Sequence, residues 1–242
     1  MRVAVISDVH GNEPALDAVL GDVDREAPDE VWCLGDTVGY GAAPNRCCEL
    51  VSARADLSLV GNHDLVVTGN LSIENFNDDA RDAALWTRGV LEPRWREWLD
   101  SLPSQDRRGD VGLFHASARD PVWEYVLSAE AAWSSFQAVD EPLLLVGHSH
   151  VALSIALVGD AVDGGLAPEG SERDLASARW LLNPGSVGQP RDGDPRAAWL
   201  LLDLEQKFAS FRRATYSVGR AQAQIREAGL PEALADRLAD GI

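Results

Sequence analysis

The chain has 242 residues and carries 39 acidic against 21 basic side chains, a formal net charge of −18 at pH 7. Because bulk nucleic acid is bound by lysine and arginine that displace its counterions, this charge excludes a tight non-specific nucleic-acid binder. It does not exclude a nucleotide substrate, since a local site can be cationic on an acidic protein. The length suffices for a full layered core, and no linker or repeat divides it, so we expect one domain over residues 1–242.

The cysteines and the N-terminus restrict the compartment. Cys33, Cys47 and Cys48 cannot all pair, and none lies in a CxxC spacing, so neither a disulfide framework nor a zinc finger is indicated. The first apolar run breaks after six residues and is no signal peptide, and no stretch approaches the ~20 apolar residues of a membrane span. We therefore expect a soluble cytoplasmic protein without a membrane partner; the pattern predicts no oligomeric state.

The first 64 residues alternate strand and helix patterns. Apolar runs at 2–7, 31–34 and 57–60 predict strands buried on both faces. Apolar residues at helical spacing predict two amphipathic helices, which begin near Pro14 and at Pro44. This βαβαβ order is typical of a parallel sheet covered by helices.

The rest of the chain has a different order of predicted helices and strands. Residues 79–102 have a helical pattern, and we expect its tryptophans to pack in the core or between helices: Trp86, Trp95 and Trp98. Further strands are predicted at 111–114, 143–146, 153–158, 180–182, 197–204 and 208–213. Because little helix separates the later strands, we expect largely antiparallel pairing. The acidic, glycine-rich segment 159–174 is predicted to be a mobile loop, and two short alanine-rich helices end the chain.

Polar clusters follow the ends of the apolar strands, and they contain all five histidines of the chain. The clusters are Asp8-Val9-His10, Gly35-Asp36, Gly61-Asn62-His63-Asp64, Phe114-His115 and Gly147-His148-Ser149-His150. In open α/β sheets the functional crevice lies beyond the carboxyl ends of the strands. Histidines that serve packing or solubility would instead be scattered along helices and loops.

The residue types and their spacing predict a metal site. In an extended chain residues two apart point the same way, so Asp8 and His10 should project together, as should His148 and His150. Two carboxylates, four or five imidazoles and one amide suit Mn, Fe or Zn. Seven donors are too many for one ion with open positions, whereas two ions sharing one carboxylate leave room for water and substrate. Buried, hydrogen-bonded polar groups without metal are the alternative, which five clusters together disfavour.

These motifs, in this order, resemble those of the calcineurin-like metallophosphoesterase superfamily. The resemblance covers Asp8-x-His10, Gly35-Asp36 with Gly39 and Gly41, Gly61-Asn62-His63-Asp64, His115 and Gly147-His148-x-His150. It implies a four-layer αββα sandwich with two mixed β-sheets, the downstream strands forming the second sheet. It also implies a metal-dependent hydrolase acting on phosphate esters.

The resemblance further implies the role of each residue. One divalent ion would be held by Asp8, His10, Asp36 and His150, and a second by Asp36, Asn62, His115 and His148. His63 matches a position that binds no metal and instead stabilises phosphoryl oxygens or protonates the leaving group. Asp64 is expected to orient His63 through a carboxylate–imidazole hydrogen bond. Two ions ~3.5–4 Å apart would lower the pKa of a bridging water for in-line displacement.

Departures from the family pattern narrow the substrate. Protein Ser/Thr phosphatases and symmetrical dinucleoside tetraphosphatases carry Asp-Arg where this chain has Asp36-Thr37, and protein phosphatases have Glu where it has Asp64. The GDTVGYG and GHSH motifs and the 183–191 segment are more similar to small bacterial and archaeal phosphodiesterase-type members. This implies a phosphodiesterase for small nucleotide-like diesters, with a phosphomonoesterase or dinucleoside polyphosphate hydrolase as the alternative.

Arg191 and Tyr40 are candidate substrate contacts, and each also has an explanation that involves no substrate. Arg191 would supply the missing phosphate contact, although a solvated arginine beside a turn fits equally well. Tyr40 would stack on a base or aryl group, as would Trp123 and Tyr125, although packing is favoured for all three. The rival from another class is a non-catalytic scaffold of the same fold. It is disfavoured because every ligand position is filled.

Overall fold

Twelve strands and eight α-helices make up the fold, which the computed structural model describes over residues 1–242. The strands are β1 Arg2–Ile6, β2 Glu30–Cys33, β3 Leu57–Ser58, β4 Gln105–Arg108, β5 Val111–Phe114, β6 Leu143–Leu145, β7 Ala152–Val158, β8 Ala161–Leu166, β9 Glu172–Asp174, β10 Arg179–Pro184, β11 Ala197–Asp203 and β12 Phe208–Ala214. The helices are α1 Glu13–Glu26, α2 Pro44–Arg54, α3 Asn62–Thr68, α4 Asp78–Val90, α5 Pro93–Asp100, α6 Ala129–Ala138, α7 Val218–Glu227 and α8 Glu232–Asp240.

The strands form two six-stranded sheets of mixed direction. The first has the order β3-β2-β1-β11-β12-β9, in which β1, β2 and β3 are parallel and β11 runs antiparallel to β1. The second has the order β4-β5-β6-β10-β7-β8, in which β5, β6 and β10 are parallel and β7 is antiparallel to β10. The two mixed sheets confirm the predicted fold class.

Alternation along the strands builds the layers. In β1, Val3 and Val5 belong to the apolar core that also takes residues of the second sheet, whereas Ala4 and Ile6 pack with residues of α1 and α2. In the second sheet, Leu144 packs with residues of α6 on the opposite face. Because successive side chains point to opposite faces, each central strand buries both sides. The result is helix, sheet, sheet and helix in four layers.

The helices begin where the sequence indicated. Pro14, Pro44 and Pro93 each lie in a first helical turn, where a missing N–H costs nothing. The predicted helical stretch 79–102 divides into α4 and α5, because Pro93 prevents continuation of the helix. Its three tryptophans are partly buried against a third apolar cluster, as expected. No helix of the chain is both long and apolar enough to cross a bilayer.

The prediction of a mobile loop at 159–174 is wrong. The segment contains β8, which pairs antiparallel with β7, and β9, which pairs antiparallel with β12. Gly164 has a φ of 155°, and a Cβ at this position would lie 2.6 Å from Ile155 Cα. The glycine therefore serves close strand contact rather than mobility. The exposed side chains of this edge made the sequence resemble a loop, and β4, α3 and α6 were not predicted at all.

Candidate metal centre

The strand ends converge through left-handed turns, not through extended chain. Asp8, His10, Asp36, His148 and His150 all have φ between 50° and 62°. We expected Asp8 and His10, and likewise His148 and His150, to project together from extended backbone. Each pair does reach the cluster, but the extended backbone that we gave as the reason is wrong. A left-handed non-glycine residue costs ~1–2 kcal/mol. Such strain is typically retained at functional sites.

Hydrogen bonds between these loops fix them relative to each other. The Asp8 amide donates to the Gly35 carbonyl at 3.0 Å, and the His10 amide donates to the Asp36 carbonyl at 2.9 Å. The His148 amide donates to Asp8 Oδ2 at 3.1 Å, which joins the two sheets. The donor side chains are thus held by backbone that is itself anchored.

The structure brings all seven predicted ligands together. Side-chain donor atoms lying within 4.8 Å of one another form two groups, Asp8, His10, Asp36 and His150, and Asp36, His115 and His148. Asn62 joins the second group, because its Oδ1 lies 3.2 Å from His115 Nε2. Asp36 is common to both groups. All seven side chains are at most 3 % exposed.

Four histidines each place one ring nitrogen against a backbone carbonyl. The pairs are His10 Nδ1 with Val38 O at 3.1 Å, His115 Nδ1 with Leu34 O at 2.9 Å, His150 Nδ1 with Gln189 O at 2.7 Å and His148 Nε2 with Trp123 O at 3.2 Å. Since a carbonyl only accepts, the ring proton belongs on that nitrogen. The other nitrogen of each neutral ring then offers a lone pair, as a metal ligand must.

Two features of the cluster indicate that it binds a cation. His10 Nε2 and His150 Nε2 lie 2.9 Å apart, and both carry lone pairs when their other nitrogens are protonated. Asp36 Oδ2 is buried without a hydrogen-bond partner, although its Oδ1 accepts the His63 amide at 2.9 Å. Opposed lone pairs and an orphaned carboxylate oxygen are unfavourable in a buried site unless positive charge lies between them. The donor set suits a divalent ion of the Mn, Fe or Zn type.

Burial shifts the titration of these groups towards their neutral forms. Desolvation raises the pKa of Asp8 to about 7 and raises that of Asp36 well above its ordinary value. Desolvation lowers the pKa of His148 to about 2, and burial followed by the Arg191 charge lowers those of His10 and His150. In the metal-free protein these three imidazoles are therefore neutral at pH 7 and can bind a cation.

His63 differs from the other four histidines. Its Nδ1 is buried without a hydrogen-bond partner. The ring is held by packing instead, with centroids 4.4 Å from Tyr40 and 4.4 Å from Phe76. Desolvation also lowers its pKa well below the ordinary value. The structure thus separates one histidine without a carbonyl anchor from four that have one.

The predicted hydrogen bond between Asp64 and the His63 ring is absent. The Asp64 carboxylate accepts the amides of Thr37, Val38 and Gly61 at 3.0–3.2 Å. Asp64 lies in the first turn of α3, where three unpaired amides of the converging loops compete for its oxygens. Its role is to join the loop after β2 to the start of α3.

The two candidate substrate contacts lie beside the cluster. Arg191 donates to Tyr40 Oη at 3.3 Å and to Gln189 Oε1 at 2.9 Å, so the guanidinium has neutral partners. Tyr40 is 8 % exposed, and its ring centroid lies 4.7 Å from that of His10. Both residues therefore border the metal-ligand candidates, as predicted from sequence.

Two aromatic contacts and four backbone carbonyls of the site were not predicted from the sequence. Phe76 stacks on His63, and Tyr125 stacks on His148 with centroids 4.0 Å apart and an interplanar angle of 17°. The four anchoring carbonyls also escaped prediction, because a backbone oxygen belongs to every residue type. A candidate base-stacking role had been weighed for Tyr125 and ranked below packing.

The site has recognisable relatives. A sequence model of the calcineurin-like phosphoesterase superfamily domain matches residues 1–207, a range that includes every candidate site residue. The crystal structure of a metallophosphoesterase from Sphaerobacter thermophilus superposes with a TM-score of 0.90 at 45% identity, covering 100% of this chain and 99% of that one. An uncharacterized protein of Methanocaldococcus jannaschii is 39% identical over 241 residues, 98% of this chain and 96% of that protein. A hypothetical protein from Pyrococcus horikoshii OT3 shares the fold, with a TM-score of 0.81 at 21% identity over 100% of this chain and 98% of that one.

Proposed function

Because this chain belongs to the calcineurin-like phosphoesterase superfamily, we propose that it is a binuclear metal-dependent phosphodiesterase acting on small nucleotide-like diesters. The observation that carries the proposal is the shared carboxylate. Asp36 belongs to both groups of donors, and its Oδ2 has no other partner. A single residue placed between two complete donor sets supports two ions rather than one.

Seven residues would hold the metal. One ion would take Asp8, His10, Asp36 and His150, and the other would take Asp36, Asn62, His115 and His148. When bound, divalent ions supply the charge that lowers the pKa of a nucleophilic water and offsets charge on phosphoryl oxygens. The backbone carbonyls keep each imidazole in the tautomer that can bind, so little reorganisation is needed on loading.

His63 is placed to act on the phosphoryl group. Burial keeps its imidazole neutral, and a neutral ring carries one N–H. That N–H donates a hydrogen bond to a phosphoryl oxygen or to the leaving oxygen, where it stabilises the negative charge that develops as the ester bond breaks. Packing against Tyr40 and Phe76 fixes the ring plane without occupying its nitrogens.

Two features favour a diester over a monoester. Arg191 is the only arginine next to the donor cluster, and the second motif contributes no other, so the dianion of a monoester meets one guanidinium. A hollow of about 330 Å³ also opens beside His63 and Asn62 and gives room for a second ester group. The small phosphoester is the proposed partner, with no bulk nucleic acid because of the net charge of −18.

The test compares hydrolysis of bis-p-nitrophenyl phosphate and p-nitrophenyl phosphate by protein stripped with chelator and reloaded with Mn. Metal bound per chain is counted in the same samples. Two ions per chain with faster diester turnover is the expected result. Two ions with monoester preference would indicate a phosphomonoesterase, and Arg191→Met would then be the first variant. No metal under any condition would favour the non-catalytic scaffold.

A further inference from the structure

A hollow lined by aromatic side chains lies beside the candidate metal centre. Its volume is about 330 Å³, within the ~300–1,000 Å³ of small-molecule pockets. Asn62 and His63 connect it to the metal-ligand cluster. Its remaining lining is Tyr40, Asn75, Phe76, Asn77, Ala80, Trp123 and Tyr125. A group bound in this hollow would therefore lie next to the reacting phosphate and belong to the same substrate molecule.

Tyr125 is the aromatic residue that packing explains least. It is 47% exposed and belongs to none of the four apolar clusters of the core. Its ring stacks on His148 with centroids 4.0 Å apart, and the side chain also lines the hollow. An exposed aromatic held at a fixed angle by a buried histidine is suited to stacking with a ligand.

The opposite side of the hollow is more rigid. Phe76 is 8% exposed and stacks on His63, and Trp123 meets Phe76 edge to face with centroids 6.1 Å apart. The Trp123 carbonyl is also the anchor of His148. The aromatic walls are therefore tied to the same histidines that border the phosphate position, which keeps their distance from it constant.

Polar groups at the rim select for a heteroaromatic ring. Asn77 Oδ1 accepts the Ala80 amide at the start of α4. The Asn77 NH₂ group can still donate, and the Asn75 side chain lines the same wall. A flat ring with acceptors on its edge, such as a nucleobase, meets both the aromatic faces and these donors.

We propose that this hollow is a subsite for the nucleobase of the substrate, with Tyr125 as the stacking residue. The inference rests on the proposed function, because it assumes that the phosphate lies at the metal centre. It commits to one class of ligand, phosphate esters that carry a planar heteroaromatic group. Esters of aliphatic alcohols and phosphorylated peptides lack a ring to fill the hollow.

The test isolates the base from the rest of the ligand. Adenosine 5′-monophosphate and ribose 5-phosphate share the phosphate and the sugar and differ by the base, and each is titrated calorimetrically into the Mn-loaded protein. We expect the nucleotide to bind roughly 5- to 100-fold tighter, which is the range for stacking of one base on an aromatic side chain. Equal affinities would overturn the subsite.

Variants assign the effect to one side chain. Tyr125→Ala is expected to bring the affinity ratio close to one, whereas Tyr125→Phe keeps it. Leu127→Ala is the matched control, since Leu127 is 59% exposed on the same segment but does not line the hollow. If Tyr125 only supported His148, Tyr125→Ala would weaken both ligands equally and leave the ratio unchanged, which would contradict the proposal.

The outcome separates this subsite from the proposed activity. Base-dependent binding without hydrolysis of any diester would leave the subsite and overturn the phosphodiesterase. Diester turnover without base preference would overturn the subsite and leave the phosphodiesterase.

Discussion

Backbone carbonyls divide the five histidines of the chain into two functional kinds. Four of them donate one ring N–H to a carbonyl and keep the other nitrogen as a lone pair. His63 has no such anchor and is held by tilted aromatic contacts with Phe76 and Tyr40. A lone pair aimed by a fixed tautomer suits metal binding, whereas the N–H of an unanchored neutral ring is free to donate a hydrogen bond to substrate. The two kinds predict different consequences of mutation.

Asp36→Asn should lose metal and activity together. The substitution removes the negative charge shared by both donor groups and places an NH₂ group where an orphaned oxygen was buried. We expect bound metal to fall and turnover to drop more than ~100-fold, beyond the effect of changing a residue that only supports a ligand. The measurement is metal per chain together with diester hydrolysis.

The control for this variant is Asp203→Asn. Asp203 lies opposite Arg2 in the antiparallel pairing of β11 with β1, at the end of β1 that is far from the site. Its carboxylate accepts only the turn amides of Glu205 and Gln206. It should keep both metal and activity. An Asp36→Asn protein with a full metal complement would contradict the bridging role.

His63→Ala should separate metal binding from turnover. None of the ligand contacts depends on the His63 ring, so metal content should stay within error of the unmodified protein. Turnover should fall ~10²–10³-fold, as for loss of one hydrogen-bond donor to a charged transition-state oxygen. Metal analysis and single-turnover rates check both parts, with His150→Ala as the variant that loses metal. A metal-free His63→Ala protein would contradict the assignment of His63 as a residue that does not bind metal.

At the scale of elements, loops and one helix start hold the site. α3 begins directly after Gly61, and Asp64 in its first turn accepts amides from the loop that carries Asp36. The Asp36 carboxylate accepts the His63 amide in return. Two segments about 27 residues apart are therefore joined in both directions. Their contact leaves no room for a larger residue at the helix start.

Gly61→Ala tests this close contact. A Cβ at position 61 would overlap Asp36 Oδ1 and lie 2.6 Å from His115 Cε1. Because Gly61 has a φ of −105°, backbone strain is no obstacle, and the effect is purely steric. We expect metal affinity to fall at least ~10-fold and the free energy of unfolding to fall by ~1–3 kcal/mol. Metal titration and thermal unfolding measure the two quantities.

Gly219→Ala provides the comparison for this prediction. No atom lies within 4 Å of a Cβ at that position in α7. Alanine there should leave metal affinity unchanged and stabilise the helix by up to ~1 kcal/mol. Similar metal affinities in the two variants would show that the Gly61 contact is not needed by the site.

On the scale of the whole molecule, an acidic protein keeps a buried site in its neutral form. The chain carries a net charge of −18, but the Asp8 and Asp36 carboxyls are fully buried and resist ionisation without a cation. The neighbouring imidazoles are held neutral by the same burial. Loading with metal therefore exchanges protons for cations inside the fold.

Metal binding should release protons in a pH-dependent manner. With a pKa of about 7, Asp8 is mostly protonated at pH 6 in the stripped protein and mostly ionised at pH 8. His10, His148 and His150, whose pKa values are lowered, are neutral at both pH values and release none. Metal affinity should therefore rise from pH 6 to pH 8 while the protons released per chain fall.

Calorimetric titration of Mn in buffers of different ionisation enthalpy counts these protons. The same proton release at both pH values would show that Asp8 does not change its protonation state between pH 6 and pH 8, which would contradict a pKa of about 7. The lowered pKa values of the histidines would be contradicted if more protons were released than the ligand carboxyls and one metal-bound water can supply.

Most of the strands and helices and the seven candidate donors were predictable from sequence alone, because both are encoded locally. Strand and helix periodicity reports burial within one element, and the strand-end motifs each lie within four residues. The same local information identified the family, which the match over residues 1–207 confirms. Prediction from this local information failed where polar edge strands resembled a loop, as in β8 and β9.

Tertiary structure decided what depends on segments far apart in the chain. His10 and His150 are 140 residues apart, yet the distance between their nitrogens shows that a cation fits. The true partners of Asp64, the carbonyls that set each tautomer and the stacking of Phe76 and Tyr125 have the same origin. No spacing along the chain encodes these contacts, because they arise only when loops of both sheets meet at one end of the sandwich.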